Sequence, residues 1–180
     1  MDIIITEISG VLIIKNDIKI DTRGFLNKPF SEVDLLENNI QFKVAESFYS
    51  MSNKNVIRGM HFQKPPLAQG KIVTVIKGNI TDVLLDLRKT SKSYSTYISL
   101  NMKERDGKSI FIPKGIAHGF LGRDKENIVL YFADSKYSME HESGIRYDSF
   151  GYKWNVMNPL ISERDRKFET FEKFISPFDK

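Results

Sequence analysis

Hydrophobic and polar residues alternate with a period of two through the middle of the chain, and short segments rich in Gly, Pro, Asn and Ser interrupt the alternation. Successive side chains of a β-strand point to opposite faces, so this period predicts strands. Their close spacing is typical of a β-sandwich or barrel. The predicted strands cover residues 44–50, 56–63, 71–77, 80–87, 96–100, 108–112, 119–121 and 127–133.

Two connections between these strands carry turn signals. Residues 71–77 and 80–87 are joined by Gly78 and Asn79, a pair that predicts a β-hairpin. Residues 64–70 contain adjacent prolines, which cannot donate ladder hydrogen bonds, and therefore predict a loop.

Helical patterns are restricted to the two flanks of the chain. Ser31 is followed three residues later by Asp34, which predicts an N-cap for a helix over residues 31–38. A second helix is predicted to begin near Ser162. It would carry three phenylalanines, Phe168, Phe171 and Phe174. We therefore expect an all-β fold with short flanking helices.

Composition narrows the class of protein. With 180 residues, of which 41% are hydrophobic, the chain can bury one sizeable core, and we expect a single domain spanning residues 1–180. No segment approaches the roughly 18–20 consecutive apolar residues of a membrane helix, and residues 1–6 lack the features of a signal peptide. These observations predict a soluble, cytoplasmic protein that does not bind membranes.

Charge and cysteine content exclude several kinds of partner and site. The net charge of +4 arises from 27 basic and 23 acidic side chains scattered along the chain. Nucleic-acid-binding surfaces need clustered Lys and Arg, so no nucleic-acid partner is expected, whereas a small anionic ligand is compatible. The absence of cysteine excludes disulfides, zinc ribbons, iron–sulfur clusters and thiol catalysis. Three histidines remain for acid–base chemistry or metal binding.

One of these histidines, His61, shares a strand face with Gln63. A single histidine on a strand usually only forms a hydrogen bond with a neighbouring residue. Residues 107–118 have the spacing G-x5-P-x-G-x2-H, ending at His118, and resemble the second motif of the cupin superfamily. Cupins are double-stranded β-helices, or jelly rolls, around a central cavity. The positions that match the metal-binding first cupin motif are His61, Gln63 and Lys71. Because a lysine stands in place of a ligand carboxylate, the resemblance implies a cavity with no metal or other cofactor.

A narrower resemblance extends over nearly the whole chain. Six segments are similar, in order and spacing, to the dTDP-4-dehydrorhamnose 3,5-epimerase family: residues 21–25, 58–63, 69–73, 81–88, 112–120 and 130–131, including the elements RGMHFQ, QGK and IPKGIAHGF. The family consists of metal-free cupin homodimers that act on nucleotide-linked 4-keto-6-deoxyhexoses in bacterial surface polysaccharide or deoxysugar biosynthesis. The resemblance therefore implies a nucleotide-sugar epimerase.

The chemistry of such an epimerase suits the residues present. A ketone at C4 acidifies the protons on C3 and C5, so inversion needs a base on one face, a proton donor on the other and a positive group beside the enolate oxygen. The resemblance assigns His61 as the base, Tyr131 as the acid and Lys71 as the cation. It assigns Asp165 as the carboxylate that orients the imidazole. Simpler interpretations remain open: a surface charge for Asp165, a core tyrosine for Tyr131 and a strand-edge charge for Lys71.

The resemblance also implies a substrate-binding set, consisting of Arg23, Arg58, Gln63, His118, Glu46 and Tyr137. Two of these, Arg23 and Arg58, match arginines that hold the diphosphate, to which a planar guanidinium is well suited. A homodimer is implied as well, in which N-terminal strands extend the partner's sheet and Arg23 reaches into the neighbouring pocket.

Several positions depart from the family's usual residues: Lys28 replaces glutamate, Glu46 replaces glutamine, Phe48 replaces asparagine and Phe132 replaces lysine. The acid–base set is intact, so the leading interpretation is inversion of C3, C5 or both in a dTDP-4-dehydro-6-deoxyglucose type substrate. An enzyme that inverts C3 alone, or that uses a GDP- or CDP-linked hexose or heptose, is an alternative. A non-catalytic cupin that binds a sugar nucleotide is another, and a metal-dependent cupin enzyme is a third.

Overall fold

The computed structural model describes residues 1–179, which form thirteen β-strands and two short α-helices. The strands are β1 (Asp2–Ile5), β2 (Leu12–Lys15), β3 (Lys19–Asp21), β4 (Gly24–Leu26), β5 (Glu46–Asn53), β6 (Ile57–Gln63), β7 (Lys71–Lys77), β8 (Asn79–Asp86), β9 (Tyr97–Lys103), β10 (Lys108–Ile112), β11 (Ile116–Gly122), β12 (Glu126–Ala133) and β13 (Glu142–Gly144). The helices are α1 (Glu32–Glu37) and α2 (Glu163–Arg166). Neither helix of the described chain is long and apolar enough to cross a membrane.

The strands form two main antiparallel sheets. A six-stranded sheet has the order β1-β2-β10-β7-β12-β5, and a five-stranded sheet has the order β13-β6-β11-β8-β9. A core cluster built from both sheets lies between them, and β3 and β4 form a separate hairpin. The structure therefore confirms the predicted all-β jelly roll with short flanking helices.

The outer face of each sheet is also covered. Along β8, Ile80 and Leu84 belong to the core between the sheets, whereas Val83 and Leu85 belong to a second cluster beneath the C-terminal segment. A third cluster includes Ile72 on the outer face of the six-stranded sheet and the segment around α1. Because the central strands are buried on both faces, both sheets are held rigidly, which suits them to position a site.

All eight predicted strands are observed, with ends that differ by a few residues. The loop predicted at residues 64–70 connects β6 to β7. The period-two pattern does not predict β1–β4 or β13, because each has only three or four residues. The N-cap of α1 is confirmed: Ser31 Oγ accepts a hydrogen bond from the Asp34 N–H at 3.4 Å.

The predicted hairpin through Gly78 is wrong. β7 pairs with β10 and β12 in the six-stranded sheet, whereas β8 pairs with β9 and β11 in the five-stranded sheet. Gly78, at φ +82°, carries the chain from one sheet to the other, and a Cβ there would lie 2.3 Å from the Glu126 carbonyl oxygen. Both strands are largely buried, so packing between layers selects their partners instead of the local turn.

The second predicted helix is wrong in length. Ser162 caps α2 as expected, with Oγ accepting from the Asp165 N–H at 3.1 Å, but the helix ends at Arg166. The three phenylalanines follow in turns and irregular backbone, and each packs against a different ring. The pairs are Phe168 with His61, Phe171 with Tyr94 and Phe174 with Phe62. Their spacing of three therefore reflects separate tertiary contacts and not one helix face.

Candidate active site

A cavity of about 430 Å³ opens between the two sheets. Eight of the residues predicted from the sequence line it: Glu46, Arg58, His61, Gln63, Lys71, His118, Tyr131 and Tyr137. They come from strands of both sheets and from the segment that follows β12. The fold thus gathers residues that are up to 91 positions apart in the sequence, as in the pair of Glu46 and Tyr137.

His61 is paired with a buried carboxylate. Its Nε2 lies 2.9 Å from Oδ1 of Asp165, which is only 2% exposed, so Asp165 is not a solvated surface charge. Asp165 also accepts a hydrogen bond from the Gly59 N–H at 3.3 Å. Burial acts to raise the pKa of Asp165, but the hydrogen bonds from His61 and Gly59 outweigh it and hold the pKa below its ordinary value. Nδ1 of His61 has no hydrogen-bond partner among residues 1–179.

A bulge in β6 brings Arg58 and His61 to the same cavity. Strict alternation would point residues three positions apart to opposite faces. The register between β6 and β11 shifts, so that His61 faces His118 while Arg58 faces Phe120. Arg58 is held by Ser52, whose Oγ accepts from Nε at 2.8 Å. The shift therefore adds a guanidinium to the wall that carries the imidazole.

Tyr131 lies on β12 of the opposite sheet and is 6% exposed. Its ring is stacked on Phe48 and meets the edge of His118. Burial raises the pKa of the Tyr131 phenol well above its ordinary value; Ser50 and Arg58 oppose the rise, and the Asp82 charge adds to it. The phenol therefore stays protonated at neutral pH.

Lys71 is the first residue of β7, an interior strand of the six-stranded sheet, so it is not a strand-edge charge. Burial in the cavity wall lowers the pKa of its ammonium to about 8, and the Glu142 carboxylate opposes that shift. Lys71 therefore remains mostly protonated at neutral pH while being poorly solvated, which strengthens its interaction with an anion in the cavity.

His118 is fixed by a second buried carboxylate. Its Nε2 lies 2.7 Å from Oδ2 of Asp82, and both residues are buried. Oδ1 of Asp82 is buried without a hydrogen-bond partner among residues 1–179. Asp82 lies within one of the matching segments, yet nothing in its local sequence distinguishes a pocket carboxylate from a strand residue. Only the pairing of β8 with β11 brings it to His118.

Gln63 is 4% exposed and makes three hydrogen bonds to backbone groups. Its amide donates to the carbonyls of Leu67 and Lys136, and its Oε1 accepts from the Ser138 N–H. The side chain therefore joins the loop after β6 to the segment after β12 at the edge of the cavity. Contact of Gln63 with a substrate stays a prediction.

A polar network around the same cavity includes two residues that the motifs do not single out, Glu142 and Arg164. Arg164 donates to Oε2 of Glu142 at 2.7 Å, and its Nη2 lies 3.3 Å from His61 Nε2. The Tyr137 hydroxyl donates to the same Glu142 oxygen at 2.8 Å, and the Tyr137 N–H donates to Glu46 at 2.8 Å. Arg164 thus brings a positive charge beside the imidazole. The sequence presents it only as part of a charged run.

Arg23 does not reach this cavity within one chain. It lies between β3 and β4, its side chain is 88% exposed, and it pairs with Asp21. Its role in substrate binding therefore stays a prediction that depends on a second copy of the chain. Among residues 1–179, no three His, Asp or Glu side chains are grouped so that they could hold a metal ion.

Comparison with known proteins identifies relatives along nearly the whole chain. The family model for dTDP-4-dehydrorhamnose 3,5-epimerase matches residues 5–173. The epimerase of that name from Methanothermobacter thermautotrophicus is 37% identical over 169 residues, which cover 91% of each chain. The Bacillus anthracis enzyme, solved with TDP and PPi bound, superposes with a TM-score of 0.91 at 30% identity over 94% of this chain and 98% of that one.

A further solved structure contains a sugar nucleotide. The epimerase from Legionella pneumophila in complex with dTDP-4-keto-L-rhamnose superposes with a TM-score of 0.92 at 28% identity, over 98% of this chain and 96% of that one. The likeness thus includes the fold and nearly the full length of the chain. The chain belongs to the dTDP-4-dehydrorhamnose 3,5-epimerase family, and it is an isomerase of the cupin fold.

Proposed function

We propose that this chain inverts C3, C5 or both of a dTDP-linked 4-keto-6-deoxyhexose, in deoxysugar biosynthesis for surface polysaccharides. One observation carries the proposal: an imidazole backed by a carboxylate and a protonated phenol line the same cavity from strands of opposing sheets. Groups placed on opposite walls can remove a proton from one face of a carbon and return one to the other.

In the first step, His61 removes the proton on the carbon next to the ketone and holds it on Nδ1. Asp165 accepts the hydrogen bond from Nε2, which fixes the tautomer and stabilises the imidazolium that forms. Because Asp165 keeps its negative charge well into the acid range, it is available for this role at neutral pH.

The electrons of the broken C–H bond move onto the ketone oxygen, giving an enolate. A poorly solvated ammonium is well suited to stabilise this charge, and Lys71 is the cation that we assign to the role. Tyr131 then donates its proton to the carbon from the opposite wall. Solvent returns a proton to Tyr131 and removes one from His61, which restores the enzyme.

Arg58 and Arg164 provide positive charge for the diphosphate of the substrate. Both line the cavity, and Arg58 presents a guanidinium of fixed orientation. The TDP bound to the Bacillus anthracis relative and the dTDP-4-keto-L-rhamnose bound to the Legionella pneumophila relative support dTDP as the nucleotide. The competing substrates are GDP- or CDP-linked hexoses or heptoses. The competing outcome is inversion of C3 alone.

We also propose that the active form is a homodimer. The β3–β4 hairpin exposes Ile20 and Leu26, which are 78% and 62% exposed, and the edge strand β5 exposes Tyr49. A second copy that covers these apolar residues would also carry Arg23 toward a neighbouring cavity. Light scattering should give twice the 20.8 kDa chain mass, and a monomer at micromolar concentration would contradict the dimer.

Deuterium exchange tests the catalytic proposal. The protein is incubated in deuterated water with dTDP-, GDP-, CDP- and UDP-linked 4-keto-6-deoxyglucose, and NMR identifies the carbons that exchange and invert. We expect exchange at C3, C5 or both of the dTDP compound, and its loss in His61→Asn. Binding without exchange of any of the four compounds would support the non-catalytic alternative instead.

A further inference from the structure

Phe48 and Tyr131 form a stacked pair in the wall of the cavity. They occupy directly opposite positions in the register of β5 and β12. Their ring centroids are 4.7 Å apart and the ring planes are 13° from parallel. Both rings line the cavity, so the contact lies within the site and not in the outer packing layers.

The Tyr131 ring is held from a second side as well. His118 meets it edge-on, with centroids 6.0 Å apart at 67°, and His118 is itself anchored by Asp82. Phe48, in contrast, is 43% exposed, so burying its own ring is not its main contribution. Its stacked neighbour is Tyr131, and the stack resists rotation of the phenol about its side-chain bonds.

We propose that Phe48 is a positioning residue, which holds the Tyr131 hydroxyl where it can protonate the enolate. This inference rests on the proposed function, in which Tyr131 donates the second proton. Phe48 has no proton to give, so it acts on the protonation step through the orientation of Tyr131.

The proposal concerns the fate of the enolate. The intermediate can take a proton from Tyr131 and become the inverted product, or it can take one back from the His61 imidazolium and regain its original configuration. In deuterated water, the second route yields substrate that carries deuterium without inversion, once the imidazolium has exchanged with solvent. If the phenol of Tyr131 is held less firmly, the enolate more often takes its proton back from the imidazolium. The ratio of exchange to inversion therefore reports how well the phenol is positioned.

The test compares three variants. Phe48→Leu removes the stacked ring, and Phe48→Tyr keeps it. Phe132→Leu, the matched control, removes a ring from the residue after Tyr131 that packs in the outer layer against Phe30. We expect the ratio of exchange to inversion to rise about 3- to 10-fold in Phe48→Leu and to stay at the wild-type value in the other two variants.

The three variants distinguish positioning of Tyr131 from substrate binding and from general packing. A ratio in Phe48→Leu that equals the wild-type ratio, even with a changed KM, overturns the proposal, because Phe48 would then act in binding alone. An equal rise in Phe132→Leu also overturns it, because general packing would then be responsible. If Phe48→Leu does not fold, Phe48→Met, which also lacks a ring, is measured in its place, and a ratio equal to the wild-type ratio overturns the proposal. If the wild-type protein exchanges no substrate, the proposed function itself fails. If the wild type inverts the substrate and the ratio in Phe48→Leu is unchanged, only this inference fails.

Discussion

Nε2 of His61 lies 2.9 Å from Oδ1 of Asp165, although the two residues are 104 positions apart in the sequence. The carboxylate is placed by α2, whose N-cap Ser162 accepts the Asp165 N–H. The Gly59 N–H of β6 donates to the other carboxylate oxygen. The pair therefore ties a C-terminal turn to a strand of the five-stranded sheet, and it couples the stability of that turn to the orientation of the imidazole.

Asp165→Asn should lower kcat by about 10²- to 10⁴-fold, because the imidazolium loses the carboxylate that stabilises it and His61 loses its fixed tautomer. KM should change little, since Asp165 is buried behind His61 and does not line the main cavity. Steady-state kinetics measures both values. Glu163→Gln, which removes an exposed carboxylate from the same helix, is the control and should leave kcat unchanged.

Tyr131→Phe should separate exchange from inversion. Deprotonation by His61 does not require the phenol, so the substrate should still take up deuterium, while inversion at the carbon that Tyr131 serves should fall by about 10²- to 10⁴-fold. NMR of the recovered substrate and product measures the two rates together. Inversion at the wild-type rate would show that another group or water donates the second proton.

The activity should decline as the pH rises through about 8, because Lys71 then loses its proton and its charge. Tyr131, whose pKa is raised above its ordinary value, does not account for a decline in that range. The pH profile of kcat/KM measures the free-enzyme pKa. In Lys71→Arg, which stays charged, the decline near pH 8 should be absent even if the activity is lower. Lys77→Arg, at an exposed ion pair with Glu126, is the control and should retain the wild-type profile.

Lys71 should also reduce stability. Its pKa is lower in the folded protein, about 8, than the ordinary value of 10.5, so the unfolded chain binds more protons between these values and the free energy of unfolding should rise with pH across that window. At pH 7, Lys71→Met should raise the free energy of unfolding by roughly 1–3 kcal/mol while it impairs catalysis. Urea unfolding followed by fluorescence of the single, buried tryptophan, Trp154, measures this. A Lys71→Met variant less stable than wild type would contradict the assignment.

Gly59→Ala should destabilise the fold by about 2–4 kcal/mol. Gly59 has φ +138°, and a Cβ there would lie 2.5 Å from the Gly119 Cα, where β6 and β11 meet beside the site. Gly24→Ala is a matched control, since Gly24 has φ +130° with nothing within 4 Å of its added Cβ, and it should cost only about 1 kcal/mol. The same urea unfolding measures both variants. Equal losses of stability in the two variants would show that the positive φ, and not the close contact between the strands, causes the destabilisation.

The pattern of the amino-acid sequence predicts the longer strands and the residue types at the site. Period-two alternation depends on the pleat of a single strand, so β7, β10 and β12 could be predicted almost to the residue. The motifs likewise identify His61, Lys71 and Tyr131, because each is one position in a local segment with recognisable spacing.

Which strands pair and which side chains meet depends on the packing of the whole fold. The alternation of β7 and β8 is compatible with a hairpin, yet the strands lie in different sheets, because each is covered by layers that are remote in the sequence. The bulge that brings Arg58 and His61 to the same cavity, and the approach of Asp165, depend on register and packing between distant segments. A local pattern specifies the face to which a side chain points, whereas its partner is selected by the free energy of the whole packed fold.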